Sequence, residues 1–128
     1  MSDSTMTVMV VEDEEMLLRA IEKKLQMDGK TVICCPSGKK AIEVLTEAEK
    51  LPDVIWLDYY LKDMNGLEFM SYLKTNDKWA NIPVMVVSNS ATPEKVANMR
   101  AMGVKKYILK AESRLDSLVK TLEDVVKG

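Results

Sequence analysis

The chain contains no histidine. Imidazole catalysis and metal sites built on imidazole are therefore excluded. It has two cysteines, Cys34 and Cys35, which are neighbours, so neither a disulfide framework nor a four-ligand zinc site is available. They read as strand residues in a reducing cytosol. No apolar run approaches the roughly 20 residues that span a bilayer, and membrane insertion is not expected. The opening Met1-Ser2-Asp3-Ser4-Thr5 lacks both the basic and the apolar parts of a secretory signal. A basic excess is missing too. The net charge of −2 argues against direct nucleic-acid binding, which needs a surface that neutralises phosphates.

What remains is a chain of 128 residues, 47% hydrophobic and 30% charged, which suits one soluble domain over residues 1–128 with one core. Its focal stretch is Val54-Ile55-Trp56-Leu57-Asp58, four apolar residues running into a lone carboxylate. Such a run suits a strand buried on both faces of a parallel sheet. An Asp at its carboxyl end would stand where open α/β sheets place their chemistry. The stretch alone fits equally well an Asp that only ends a strand or caps a turn.

Similar runs recur. Thr7 to Val11 leads into Glu12-Asp13-Glu14-Glu15 and a helical stripe of Leu17, Leu18, Ile21 and Leu25, closed by Gly29 at C′. The dipole explains acids in a first helical turn, and it covers Glu14 and Glu15 better than Glu12. Thr31 to Cys35 is a second strand, Ser37 an N-cap, and Ala41, Val44, Leu45 and Ala48 a second apolar face. Asn65-Gly66 is a turn signal, followed by the stripe Gly66, Phe69, Met70 and Leu73. Val84 to Val87 is a fourth strand, running into Ser88-Asn89-Ser90. Thr92-Pro93 opens a helix carrying Val96, Met99 and Met102, and Gly103 closes it. Tyr107-Ile108-Leu109 is a fifth strand ending at Lys110. Ser113 and Asp116 resemble a capping box ahead of Leu115, Leu118, Leu122 and Val125. The ten methionines read as core filler, Trp56 as core, and Trp79 as a partly exposed loop residue.

Five βα units in succession argue for a parallel sheet covered by helices on both faces. All strand carboxyl ends then share one rim, which collects Glu12, Asp13, Asp58, Ser88 and Lys110. Three carboxylates in one pocket repel, and a hard cation such as Mg²⁺ relieves them through oxygen ligands while bridging to phosphate. Lys110 adds positive charge and Ser88 a hydroxyl donor. This set suits an Asp that accepts a phosphoryl group.

Those residues in that order carry a family resemblance over essentially the whole chain. Glu12-Asp13 after VMVV, Asp58 after VIWL, Asn65-Gly66, Ser88 after PVMVV and Tyr107-Ile108-Leu109-Lys110 resemble a stand-alone response-regulator receiver domain of two-component signalling. The resemblance implies a flavodoxin-like (βα)₅ fold with strand order 2-1-3-4-5, an order known for that fold rather than deduced from this sequence. It implies that Asp58 takes the phosphoryl group from a sensor histidine kinase or phosphotransfer protein. Glu12, Asp13, Asp58 and the backbone carbonyl of Tyr60 would hold Mg²⁺, and Lys110 would bind the phosphoryl group. Ser88 and Tyr107 would be the switch residues, repacking the face made by the fourth helix, fifth strand and fifth helix for a protein output partner. Tyr60 and Ser90 occupy places that tune phosphate lifetime, Tyr60 by screening the aspartyl phosphate from water. The protein would be a cytoplasmic phosphoacceptor rather than an enzyme.

The chain also departs from the family. Ala111 follows Lys110 where Pro is usual. Since a non-proline cis bond costs about 2.5–4 kcal/mol, a trans bond and a differently shaped loop are expected. Lys62 replaces a usual Pro in the loop after Asp58, and Asn89 replaces a small residue after Ser88. Three competing readings are a haloacid-dehalogenase-type Mg²⁺ phosphohydrolase, a phosphorylation-independent pseudo-receiver and a flavodoxin. The first lacks its DxDGT motif at Asp58-Tyr59-Tyr60-Leu61-Lys62. The second is at odds with the intact acidic, hydroxyl and Lys set. The third would place an acidic loop against a phosphate.

Overall fold

Alternation along five apolar runs builds the protein, described here by a computed structural model covering residues 5–112 and 114–127. The elements run β1 (Thr7–Val11), α1 (Glu15–Met27), β2 (Thr31–Cys35), α2 (Gly38–Glu47), β3 (Val54–Asp58), α3 (Gly66–Lys74), β4 (Val84–Ser88), α4 (Pro93–Ala101) and β5 (Lys106–Leu109). A 3₁₀ turn (Lys110–Glu112) and α5 (Leu115–Lys127) follow. The strands form one parallel sheet in the order β2-β1-β3-β4-β5, the expected flavodoxin-like arrangement.

Successive strand residues point to opposite faces, and both faces are buried. Met9, Ile55, Leu57, Val84 and Val86 pack with Phe69, Leu73 and Met99 from α3 and α4. Val8, Val10, Trp56, Met85 and Val87 pack with Leu18, Ile21, Leu118 and Leu122 from α1 and α5. Each large side chain fully removed from water contributes roughly 1.5–3 kcal/mol. That is why β3 and β4, buried along their whole length, read as unbroken apolar runs. Trp56 is core, and Trp79 packs half-buried against the α2–α3–α4 side.

Helix starts follow the expected chemistry. Ser37 Oγ accepts from Lys40 N–H at 3.0 Å and Thr92 Oγ1 from Lys95 N–H at 3.2 Å. Gly29 adopts φ +83°, the left-handed C′ conformation that a Cβ disfavours. Asn65-Gly66 differs from its reading as a turn. Asn65 is the N-cap of α3, in a reciprocal capping box with Glu68 (3.0 and 2.8 Å). Gly66 is needed because its Cα approaches Tyr59 closely. A Cβ there would stand 2.9 Å from the Tyr59 ring and 3.4 Å from its Cα.

Three further expectations shift. Lys110 opens the 3₁₀ turn rather than ending β5. α4 buries only Met99, since Val96 and Met102 stay half-exposed. The capping box read at Ser113 and Asp116 involves Ser113, which lies outside the described residues. Among the described residues there is no cis peptide bond, as expected for Lys110-Ala111, and no helix is long and apolar enough to cross a membrane.

Candidate functional site

The strand order sets β1 directly beside β3, so the residues that leave their carboxyl ends meet. One carboxylate oxygen each from Glu12, Asp13 and Asp58 lies within 4.8 Å of the others. Glu12 is 1% exposed and Asp58 5%, while Asp13 is half-buried. Lys110 arrives from the far side, its Nζ 3.2 Å from Glu12 Oε1 and 3.5 Å from Asp58 Oδ1.

The second oxygen of Glu12 accepts from Glu14 N–H at 3.0 Å. Glu12 is thus built into the start of α1 by its own turn and is more than one acid of a first-turn run. Two bonds to charged or backbone donors are what allow a carboxylate to be buried so fully.

Burial is the main reason that the Asp58 carboxyl is pushed from 3.8 up to about 7. The neighbouring Glu12 charge adds to it, Asp13 adds less, and Lys110 opposes both. Burial pulls the Lys110 ammonium down, but Asp58 and Glu12 together outweigh it and hold its pKa above the ordinary value. The cluster therefore has more negative charge than one ammonium can balance.

These residues fit a hard divalent cation on their own chemistry. The donors are oxygens, the carboxylates repel, and a backbone carbonyl faces no competitor. In the loop after β3, Leu61 N–H donates to the Met64 carbonyl (3.2 Å) and Gly66 N–H to the Tyr59 carbonyl (2.7 Å). Tyr60 lies between them, and among the described residues its carbonyl accepts no hydrogen bond. Mg²⁺ takes such oxygens and keeps several waters.

The remaining expected residues line the rim beside this cluster. Ser88 is fully buried at the end of β4, and its Oγ accepts from Ser90 N–H at 3.3 Å. Tyr60 is 46% exposed, with its hydroxyl 3.3 Å from Ser90 Oγ. Tyr107 is half-buried and donates its hydroxyl to the Ser90 carbonyl at 2.7 Å. Ser90 is therefore a junction between the two tyrosines. The adjacent Tyr59 ring packs edge-on against Tyr60, with centroids 4.8 Å apart.

Several contributors escaped the sequence reading. Lys95, in the first turn of α4, holds its Nζ 3.2 Å from Ser90 Oγ and 4.5 Å from the centre of the Tyr60 ring. Nothing in its local pattern separates it from a solvated lysine. The Lys62 amide donates to Asp13 Oδ2 at 2.8 Å; the one available signal was the missing Pro. The two cysteines take no part. Burial pushes the Cys34 thiol up to about 11 and that of Cys35 to about 12, so neither is a ready nucleophile.

Comparison with known proteins gives the family and the fold. The family model described as "Response regulator receiver domain" matches residues 8–123. The polar-differentiation response regulator DivK of Brucella ovis is 31% identical over 106 residues, covering 83% of this chain and 85% of its own. Chemotaxis protein CheY4 of Vibrio cholerae superposes with a TM-score of 0.86 at 24% identity, covering 95% of this chain and 99% of its own, a likeness of fold. The phosphorylated cyanobacterial phytochrome response regulator RcpA superposes with a TM-score of 0.79 at 25% identity, over 95% of this chain and 91% of its own.

Proposed function

The chain belongs to the response regulator receiver domain family, and on that footing we propose that Asp58 is the phosphoacceptor of a Mg²⁺-dependent signalling switch. The observation that carries this reading is the buried Asp58 carboxylate, set among Glu12, Asp13 and Lys110 at the carboxyl edge of the sheet. The family is regulatory rather than catalytic.

The donor is a sensor histidine kinase or a phosphotransfer protein. An Asp58 oxygen attacks the phosphorus of its phosphohistidine, a P–O bond forms, the P–N bond breaks, and the imidazole leaves with the electron pair. Mg²⁺, when bound, offsets the charge on the carboxylate and on the transferring group. Glu12, Asp13, Asp58 and the Tyr60 carbonyl would hold it. Lys110 is close enough to Asp58 to follow the phosphoryl oxygens. Ser88, on the adjoining strand end, gives up its bond from Ser90 N–H and donates its hydroxyl to the new anion. That movement releases the Ser90 amide, and the Ser90 carbonyl carries the change to the Tyr107 hydroxyl bound to it.

The output is then a change in the face made by α4, β5 and α5, read by a partner protein. Hydrolysis returns the carboxylate when water attacks the phosphorus and the P–O bond to Asp58 breaks. The Tyr60 ring and Ser90, tied together at the rim, restrict that water and set the lifetime. A cytoplasmic location suits two free strand cysteines. A haloacid-dehalogenase-type phosphohydrolase finds no support in the family match.

Incubation with acetyl phosphate and Mg²⁺, followed by intact mass, tests the reading. The wild type gains one phosphoryl group, and Asp58→Asn gains none. Repeated turnover of a phosphomonoester, or undiminished gain in Asp58→Asn, would overturn it.

A further inference from the structure

We infer that the backbone amide of Lys62 is a positioning group for the cation site, and that the β3–α3 loop ties this site to the N-terminus of α2. The inference rests on the cation role proposed for Asp13 and deepens it.

Three consecutive loop residues make the connection. Lys62 N–H donates to Asp13 Oδ2 at 2.8 Å. Asp63 then turns the other way, and its two oxygens accept from Gly38 N–H at 3.1 Å and Lys39 N–H at 2.8 Å. Those are the first two residues of α2, whose amides have no partner within the helix. A carboxylate there also meets the positive end of the helix dipole. Met64 packs against Gly38 so tightly that a Cβ on Gly38 would stand 2.5 Å from Met64 Sδ. Ahead of these three residues stands Tyr60, the source of the carbonyl assigned to the cation.

The loop is braced along its length. The Leu61–Met64 and Tyr59–Gly66 backbone bonds close it at 3.2 and 2.7 Å, and the Asn65–Glu68 box fixes its exit. Donation to Oδ2 orients the Asp13 carboxylate and leaves Oδ1 free of that bond for a cation. A change in the Asp13 carboxylate on binding a cation would reach the Lys62 amide through its bond, and Asp63 would carry it to the start of α2. A proline at position 62 has no N–H and makes no such bond. Any residue but proline supplies this N–H, so the tether depends on position 62 not being proline.

Mg²⁺ binding is measured by calorimetry and by ¹H–¹⁵N amide shifts on the whole chain. Outer-shell hydrogen bonds to a ligand are worth about ten-fold or more in metal affinity. Lys62→Pro is expected to weaken Mg²⁺ binding by about that factor, whereas Lys62→Ala, which keeps the N–H, rescues it. In the wild type the amides of Lys62, Gly38 and Lys39 shift with one common midpoint. In Asp63→Ala the Lys62 amide still responds and those of Gly38 and Lys39 do not. Should Lys62→Pro fail to fold, the wild-type and Asp63→Ala titrations decide alone. Mg²⁺ binding that leaves the Lys62 and Gly38 amides unmoved overturns this inference and leaves the proposed function standing. A wild type that binds no Mg²⁺ overturns both.

Discussion

Replacing Asp58 with Asn should stabilise the metal-free protein at pH 8. The carboxyl is raised from 3.8 to about 7 by burial and by Glu12, against the opposing pull of Lys110. Each unit is worth about 1.4 kcal/mol, so ionising Asp58 in the folded state costs up to about 4 kcal/mol. Between about pH 4 and 7 the folded protein keeps a proton that the unfolded chain has released. Stability therefore falls as pH rises across that window and stays low above it. Asn keeps the size of Asp and carries no charge. It also leaves Lys110 to Glu12 alone, so about half of the ceiling, roughly 2 kcal/mol, is a reasonable gain. For a domain of this size that raises the melting temperature by about 6–8 °C. At pH 4 the advantage shrinks, because Asp58 is already protonated. Mg²⁺ narrows the gap from the other side: at ten times its Kd it stabilises the wild type by about 1.4 kcal/mol, and Asp58→Asn, short of one ligand, gains less. Thermal melts by circular dichroism at pH 4 and pH 8, in chelator and in Mg²⁺, measure all of this. If Asp58→Asn melts at or below the wild type at pH 8 in chelator, the carboxylate is not held against repulsion, and the electrostatic account of the site is wrong.

Lys110→Met leaves Glu12 and Asp58 buried without their ammonium. The chelated protein should lose about 3 kcal/mol, Mg²⁺ should restore part of it, and acetyl phosphate should add no phosphoryl group; an unchanged melting temperature counts against the pairing. Tyr60→Ala uncovers the rim and should speed loss of the phosphoryl group several-fold in a mass time course, so an unchanged rate removes Tyr60 from lifetime control. Gly66→Ala drives a Cβ against the Tyr59 ring and the Met99 methyl, 2.9 and 3.0 Å away, and should cost about 1–3 kcal/mol by urea unfolding. Lys30 is buried between Asp28 and Glu123, yet those partners are 44% and 40% exposed. Lys30→Met should therefore stay within about 1 kcal/mol of wild type in the same assay, since the carboxylates left behind are hydrated.

Local chemistry made most of the fold legible. Apolar runs of strand length, caps at Ser37 and Thr92, and Gly29 past the end of α1 all act within a few residues of themselves. Asn65-Gly66 reads as a turn signal ahead of the Gly66 stripe because the same dipeptide serves a turn or a helix start. Glu68, completing the capping box, tips the balance toward the helix. The spacing of Val96, Met99 and Met102 predicts a wider apolar face than α4 buries, because spacing alone cannot say how closely a helix approaches the sheet.

For the site, alternation of strand and helix was enough to send the ends of β1, β3, β4 and β5 to one edge, since parallel strands must all point the same way. Glu12, Asp13, Asp58, Ser88 and Lys110 could therefore be grouped from the chain alone. Tertiary structure decided the distances, and with them the energies. Placing β1 against β3 sets the Glu12 charge beside the buried Asp58 and raises the proton affinity of Asp58, while the 3₁₀ turn after β5 brings Lys110 over to both. The Lys62 amide on Asp13 and the Lys95 ammonium over Tyr60 are also contacts between remote segments. Periodicity is a property of neighbours in sequence, whereas Coulomb energy and desolvation depend on separation and on surroundings that exist only once the sheet has closed.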